Sequence, residues 1–171
     1  PILGANYRIS ELNAAVGVAQ LRKLDMILEK QRANKSAILN ALSEFEEITL
    51  RTIPDEKGDT ATFISFLARD ESKARKLAAD LGSAGIDGCF YWYDNNWHYI
   101  RQWEHLKTLN SPARLPVHLI KHFPDYRNLS LPESDSIMSR TISMQIKLSW
   151  TKEELEQRIG TMADVIKKMG A

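Results

Sequence analysis

Hydrophobic residues recur along this chain at two spacings, and each change of spacing marks a new element. Leu12, Ala15, Val16 and Ala19 fall at helical intervals. Ser10 stands where a cap belongs, and Glu11 lies in the first turn, where the helix dipole favours a carboxylate. Alanines and Gly17 keep this helix thin, so another element can pack close to it. Leu24, Ile27, Leu28, Ile38, Leu42 and Phe45 form a second helical stripe. The polar residues between them (Glu29, Lys30, Arg32, Asn34 and Lys35) are expected to face water. The two stretches read as one bent helix, or as two with a break near Leu24 and Asp25.

The period then shortens. Residues 48–53 read as a short strand and residues 55–59 as an exposed turn. Residues 60–68, TATFISFLA, are rich in β-formers and predict a strand buried on both faces. A helix follows over residues 71–84, with Leu77, Ala78 and Leu81 inward and Gly85 at its exit. Residues 86–93 read as extended. Residues 94–131 are irregular, with a short helix around 100–109 and prolines at 112, 116, 124 and 132. Residues 133–140 predict a short helix and residues 141–148, TISMQIKL, a strand. Thr151 and Glu154 have the spacing of a capping box, in which each side chain bonds the other's backbone N–H. The final helix carries Leu155, Ile159, Met162, Ile166 and Met169 on one stripe. The order helix-helix-β-β-α-β-β-α predicts an α+β or α/β domain, a small sheet with helices packed on it. The opening helices are extra to that unit. Residues 1–46 therefore read as a helical contact and connecting segment, and residues 47–171 as the small domain.

Composition narrows the partners. Of 171 residues, 43% are hydrophobic and 26% charged, as in ordinary globular chains. The net charge is +1, and no run of consecutive basic residues exceeds two, as at Lys167-Lys168, which argues against nucleic acid or an anionic membrane. The single cysteine, Cys89, has no internal disulfide partner and reads as a packing thiol in a reducing cytoplasm. No apolar run approaches the about 20 residues of a membrane span. No signal peptide pattern is present. The chain opens on Pro1 rather than Met, so it reads as a piece of a longer product.

Candidate chemistry concentrates in one aromatic segment. Tyr91, Trp92, Tyr93, Asn95, Asn96, Trp97 and His98 run almost without interruption, followed by Tyr99 and Trp103. Aromatic faces stack on the C–H faces of a sugar, and interleaved amides and imidazole bond its hydroxyls. The same residues suit a nucleotide base, a core-closing cluster or a subunit interface. Arg101, Lys107 and Arg114 lie near enough in sequence to neutralise an acidic ligand. His118 and His122 have i, i+4 spacing, but a metal site needs a third ligand, and surface histidines are the reading preferred here. No metal is expected. No residue is assigned a catalytic role. Lys147 sits in a strand context without the phosphate-binding neighbours that a Schiff-base lysine requires.

The opening stretch is the most specific feature. Residues 4–21, GANYRISELNAAVGVAQL, match without a gap the pattern G-x-N-Y-R-[MIL]-[ST]-E-[LI]-x-A-A-[VIL]-G-x-x-Q-L. In this the chain closely resembles the DegT/DnrJ/EryC1/StrS family of PLP-dependent sugar aminotransferases. Residues 131–143 and the capped helix over 151–169 resemble the family's closing elements, while residues 86–128 fit it poorly. The resemblance implies the small C-terminal domain of a fold-type I aminotransferase. It implies a homodimer with a shared active site, and pyridoxal 5'-phosphate as cofactor. It also implies an amino group passed from glutamate to a keto-sugar. By the same resemblance, the Schiff-base lysine belongs N-terminal to Pro1. Asn6 would then reach the partner's cofactor phosphate. Arg8, two residues on, adds a fixed positive charge suited to phosphate or carboxylate. Many relatives have a tyrosine–proline stretch and then a histidine here; this chain has no proline at that point, and His98 aligns with the histidine only if two residues are inserted. An unusual substrate is expected, such as a free sugar acid of the keto-octulosonate type found in lipopolysaccharide, rather than a nucleotide sugar. The rival expectation is a non-catalytic relative that pairs through its opening helices.

Overall fold

The structure, a computed structural model, describes residues 8–110, 112 and 124–170. Two helices open the chain, α1 (Glu11–Leu21) and α2 (Leu24–Leu42), broken at Arg22 and Lys23. Ser10 caps α1 as expected, its hydroxyl accepting from the Asn13 N–H at 3.2 Å. Then follow β1 (Thr49–Leu50), β2 (Phe63–Leu67), α3 (Glu71–Ser83) and β3 (Cys89–Phe90). After two 3₁₀ turns come α4 (Glu104–Thr108), α5 (Pro132–Met138), β4 (Thr141–Gln145) and α6 (Lys152–Gly170). Asp70 caps α3, and Gly85 leaves it at φ 80°, a conformation that suits glycine. The Thr151–Glu154 capping box is present in both directions, at 2.8 and 3.2 Å.

The four strands form one antiparallel sheet in the order β1-β2-β4-β3. β4, the last strand in the chain, enters between β2 and β3. Register places Ile64 beside Met144 and Phe66 beside Ile142 on one face. That face is covered by α2, α3 and α6, and the core forms there from Ile38, Leu42, Leu77, Leu81, Met162 and Ile166. The structure thus has the α+β architecture that the element order implied.

Two expectations are corrected. Residues 60–68 are not a strand buried on both faces. Ala61 takes φ 58° and cannot continue a ladder, so the strand starts at Phe63. Within it Phe66 is 0% exposed while Phe63 is 38% exposed. Among the described residues, helices cover only one face. Asn34 and Lys35 do not face water either. They continue the stripe of Ile38 and Leu42 one turn earlier in α2, and Lys35 is 4% exposed. Its ammonium meets Asp59 at 2.5 Å, and the Asn34 amide donates to the Lys147 carbonyl at 3.1 Å. Burial pushes the Asp59 carboxyl up, but the hydrogen bonds from Lys35 and the Ala61 N–H outweigh it and hold the group below its ordinary range.

α1 contrasts with the other long helices: none of its residues is buried, and Leu12 is 75% exposed. Among the described residues, no helix is long and apolar enough to cross a membrane.

Candidate functional site

The uncovered face of the sheet is where candidate chemistry collects. Alternation along β2 and β4 sends Phe63, Ser65, Leu67, Thr141 and Ser143 to this face. Ser65 and Ser143 are direct register partners, and their hydroxyl oxygens lie 2.8 Å apart. Phe90 joins them from β3, opposite Ser143. Beyond it the chain turns through a 3₁₀ segment (Trp92–Asp94), which swings Trp92 over the sheet edge. Trp92 stacks on Phe90 with centroids 4.7 Å apart and planes 6° from parallel. The His98 ring meets Trp92 edge-on at 4.4 Å, and Trp97 lies 6.4 Å from Trp92. A concavity of about 520 Å³ results, with Phe63, Trp92 and Ile137 as apolar walls, Ser65 and Ser143 at its floor, and Arg51 and His98 on its rim.

The aromatic segment is held from behind. Successive residues alternate sides, so Tyr91 packs against the core while Trp92 faces the concavity. The Tyr91 hydroxyl donates to the Ser139 carbonyl at 2.7 Å. The Arg75 guanidinium lies 5.0 Å from the Tyr91 ring centre and 6.0 Å from that of Tyr93. It also forks onto Asp94 and pairs with Glu71 at 2.8 Å, and those hydrogen bonds raise its pKa well above the usual range. The Tyr93 carbonyl accepts from Gln102 at 2.8 Å, and the Tyr99 hydroxyl and Arg101 both donate to Asp135. Burial pushes the Tyr91 phenol up to about 12; for Tyr99, burial and the Asp135 carboxylate do the same, also to about 12. Both remain hydrogen-bond donors rather than bases. Burial likewise lifts the Cys89 thiol to about 11, which keeps it protonated and unreactive.

The seven residues expected at a substrate site therefore separate. Trp92, Trp97 and His98 cluster at the concavity. Tyr91 and Tyr93 are tied into the support behind it. Asn95 accepts from the Trp97 N–H at 2.6 Å and shapes the turn, and Asn96 is exposed. Of the cations expected nearby, Arg101 is paired with Asp135 and Lys107 with Glu104. Arg114, His118 and His122 lie outside the described residues, as does Asn6. Arg8 is an exposed residue two positions before the α1 cap. Sequence reasoning missed Arg51, Phe63, Ser65 and Ser143. The signal was there: serine and threonine alternate with large apolar residues in FISFL and TISMQ.

The described residues do not fit a Schiff-base site for PLP. Such a lysine must reach a dry cup beside phosphate-binding groups. Lys35, the buried lysine, holds Asp59, and Lys147 holds Asp87. Among the described residues, no lysine lines the open concavity. Among the described residues no group of three histidine, cysteine or carboxylate side chains converges to hold a metal.

A four-stranded antiparallel sheet with helices on one face is the architecture of part of a fold-type I aminotransferase. Three solved structures share it. The aminotransferase TlmJ from Streptoalloteichus hindustanus matches 94% of this chain with TM-score 0.62 at 17% identity. The sugar aminotransferase CalS13 from Micromonospora echinospora matches 94% with TM-score 0.65 at 15% identity. The 3-amino-5-hydroxybenzoic acid synthase matches 98% with TM-score 0.60 at 18% identity. The match takes in 37%, 37% and 41% of those chains, so this chain spans about two fifths of their length. The model of the DegT/DnrJ/EryC1/StrS aminotransferase family covers residues 1–163. The chain belongs to that family, whose members are PLP-dependent aminotransferases.

Proposed function

We propose that this chain is the C-terminal, substrate-side part of a PLP-dependent sugar aminotransferase. The enzyme moves an amino group from glutamate to a keto-sugar, either nucleotide-linked or a free sugar acid such as a keto-octulosonate. Its working form is a homodimer in the cytoplasm, with a shared active site. The observation that carries this reading is the family match across residues 1–163. PLP, when bound, supplies the electron sink for amino transfer. In this reading Asn6 and Arg8 hold the phosphate of a partner's cofactor, residues 1–46 form the dimer contact, and the aromatic segment faces the sugar. Trp92, Trp97 and His98 form the wall that meets it. Tyr91, Tyr93, Asn95 and Asn96 shape and support that wall. The catalytic lysine belongs to the rest of the enzyme, so the 171-residue chain by itself is inactive.

The exposed apolar residues of α1 (Leu12, Val16 and Leu21) also favour a second reading, a truncated relative that pairs with another chain without catalysis. One experiment separates the two. The intact enzyme that contains this chain is assayed for glutamate-dependent amination of nucleotide-linked keto-sugars and of free keto-sugar acids. Turnover of either class is expected, with none from the 171-residue chain alone. Failure on both classes by the PLP-loaded intact protein would leave the pairing role. Turnover by the isolated chain would refute the placement of the lysine elsewhere.

A further inference from the structure

We propose that the open face of the sheet binds a sugar ring bearing an anionic group, a carboxylate or a phosphate, with Trp92 against the ring and Arg51 on the anion. That the ring is a sugar rests on the aminotransferase reading above; the anion and its position rest on the concavity itself.

Charge is the first argument. Arg51 follows β1, and its N–H donates to the Ser65 carbonyl at 3.2 Å, which seats it beside Ser65 on the uncovered face. It lines the concavity together with His98, and among the described residues no aspartate or glutamate lines it. Among the described residues, its guanidinium has neither a hydrogen bond nor an ion pair. The carboxylate that feels its charge, Asp59, is already bound by Lys35 and the Ala61 N–H. Three other polar concavities are built differently. Arg158 faces a hollow lined also by Glu154, and is bound to Asp87. Arg32 and Lys35 share theirs with Glu56 and Asp59. Lys107 and Arg127 share theirs with Asp125. In those hollows every cation is already bound within the protein, to a carboxylate or, for Arg32, to the Lys57 and Asp59 carbonyls. At the sheet face the positive charge meets no carboxylate among the described residues, and its complement is an external anion.

Shape and hydrogen bonding give the rest of the ligand. The walls are apolar and aromatic, with Trp92 braced from behind by Phe90 at 4.7 Å, so a flat, largely C–H face fits against the indole. The floor is polar. When the Ser65 and Ser143 hydroxyls bond each other, one donates and the other keeps its own hydrogen for a ligand oxygen. An apolar wall, a few convergent hydroxyls and one arginine are what a small acidic sugar requires, and about 520 Å³ accommodates one.

The test reads binding on the chain itself by NMR, following the Trp92 indole N–H and the Arg51 resonances. The probes are glucuronate, glucose 6-phosphate, glucose and inorganic phosphate at equal millimolar concentrations. Glucuronate or glucose 6-phosphate is expected to shift both sets of resonances, and whichever binds more tightly assigns carboxylate or phosphate. Glucose is expected to bind at least about tenfold more weakly than the better anionic sugar, and Arg51→Gln to lower affinity for that sugar about tenfold or more. Arg51 is exposed at a strand end, so the variant should fold, which its unfolding curve checks. Arg51→Lys, which keeps charge without the fork, should retain part of the affinity.

The proposal is overturned if glucose binds as tightly as both anionic sugars, or if Arg51→Gln binds like the parent. It is also overturned if neither anionic sugar moves Trp92, or if inorganic phosphate alone matches glucose 6-phosphate. Because no turnover is read, a failed titration removes this subsite and leaves the amino-transfer reading standing. Absent amino transfer by the intact enzyme would remove that reading and leave the titration unaffected.

Discussion

The two faces of one small sheet are built from the same strands and do opposite things. On the covered face, Ile64, Phe66, Ile142 and Met144 are almost wholly removed from water beneath three helices. On the other, Phe63, Ser65, Leu67 and Ser143 meet an open concavity walled by the aromatic segment. Stability therefore belongs to one face, and the second is free to carry recognition. The period-two geometry of a strand makes this division possible, because neighbours in sequence never share a face. The same alternation recurs at Tyr91 and Trp92, where one ring joins the core and the next faces the concavity.

The sharpest way to break this comparison uses two phenylalanines of one strand. Phe66→Ala removes a fully buried ring from the centre of the core and should cost about 3–5 kcal/mol. Phe63→Ala, three residues away on the open face, should cost less than about 1 kcal/mol. Urea unfolding of the two variants measures both. Equal losses would mean that the open face also carries the fold.

Much of this was legible locally. The Ser10 cap, the Thr151–Glu154 box, the α6 stripe and the Gly85 exit depend on residues within one or two turns of each other, and each appears where expected. What escaped depends on distant partners. Asn34 and Lys35 read as solvent-facing because their partners, Lys147 and Asp59 respectively, lie 113 and 24 residues away. The β2 strand read as buried on both sides because sequence shows β-formers but not which face the helices choose. Arg51 read as an ordinary strand residue. Only the β1–β2 register sets it beside Ser65, and only the fold shows that no carboxylate meets it there. The aromatic segment was conspicuous in sequence, but its division into wall and support required the turn at Trp92.

A smaller effect sharpens the comparison at that turn. Tyr91→Phe keeps the ring in the core and removes only the bond to the Ser139 carbonyl. A loss of about 1 kcal/mol is expected in urea unfolding. Trp92 should also become less fixed, seen as weaker near-ultraviolet circular dichroism. A variant with full stability and an unchanged aromatic signal would show that Tyr91 does not brace the wall.

The smallest effect tests whether acid acts through the covered face alone. Asp87 precedes β3 and accepts from Lys147 and from Arg158, whose guanidinium is buried 4.5 Å from the Trp150 ring centre. The hydrogen bond from Lys147 lowers the Asp87 pKa; burial opposes this, and Arg158 adds to the lowering. A folded pKa below the unfolded one gives stability that is complete above the unfolded value, about 4, and is lost as pH falls through the folded value. Asp87 is 57% exposed, so its pairs are screened and together contribute about 0–1 kcal/mol. Asp87→Asn should lower the melting temperature slightly at pH 6, and the gap from the parent should close toward pH 2.5 as the parent's carboxylate takes up its proton. A gap that stays constant down to pH 2.5 would show that the asparagine acts by packing and not by charge. Between pH 5 and 8 the substitution should leave ligand binding at Arg51 and Trp92 unchanged, since Asp87 belongs to the far side of the sheet.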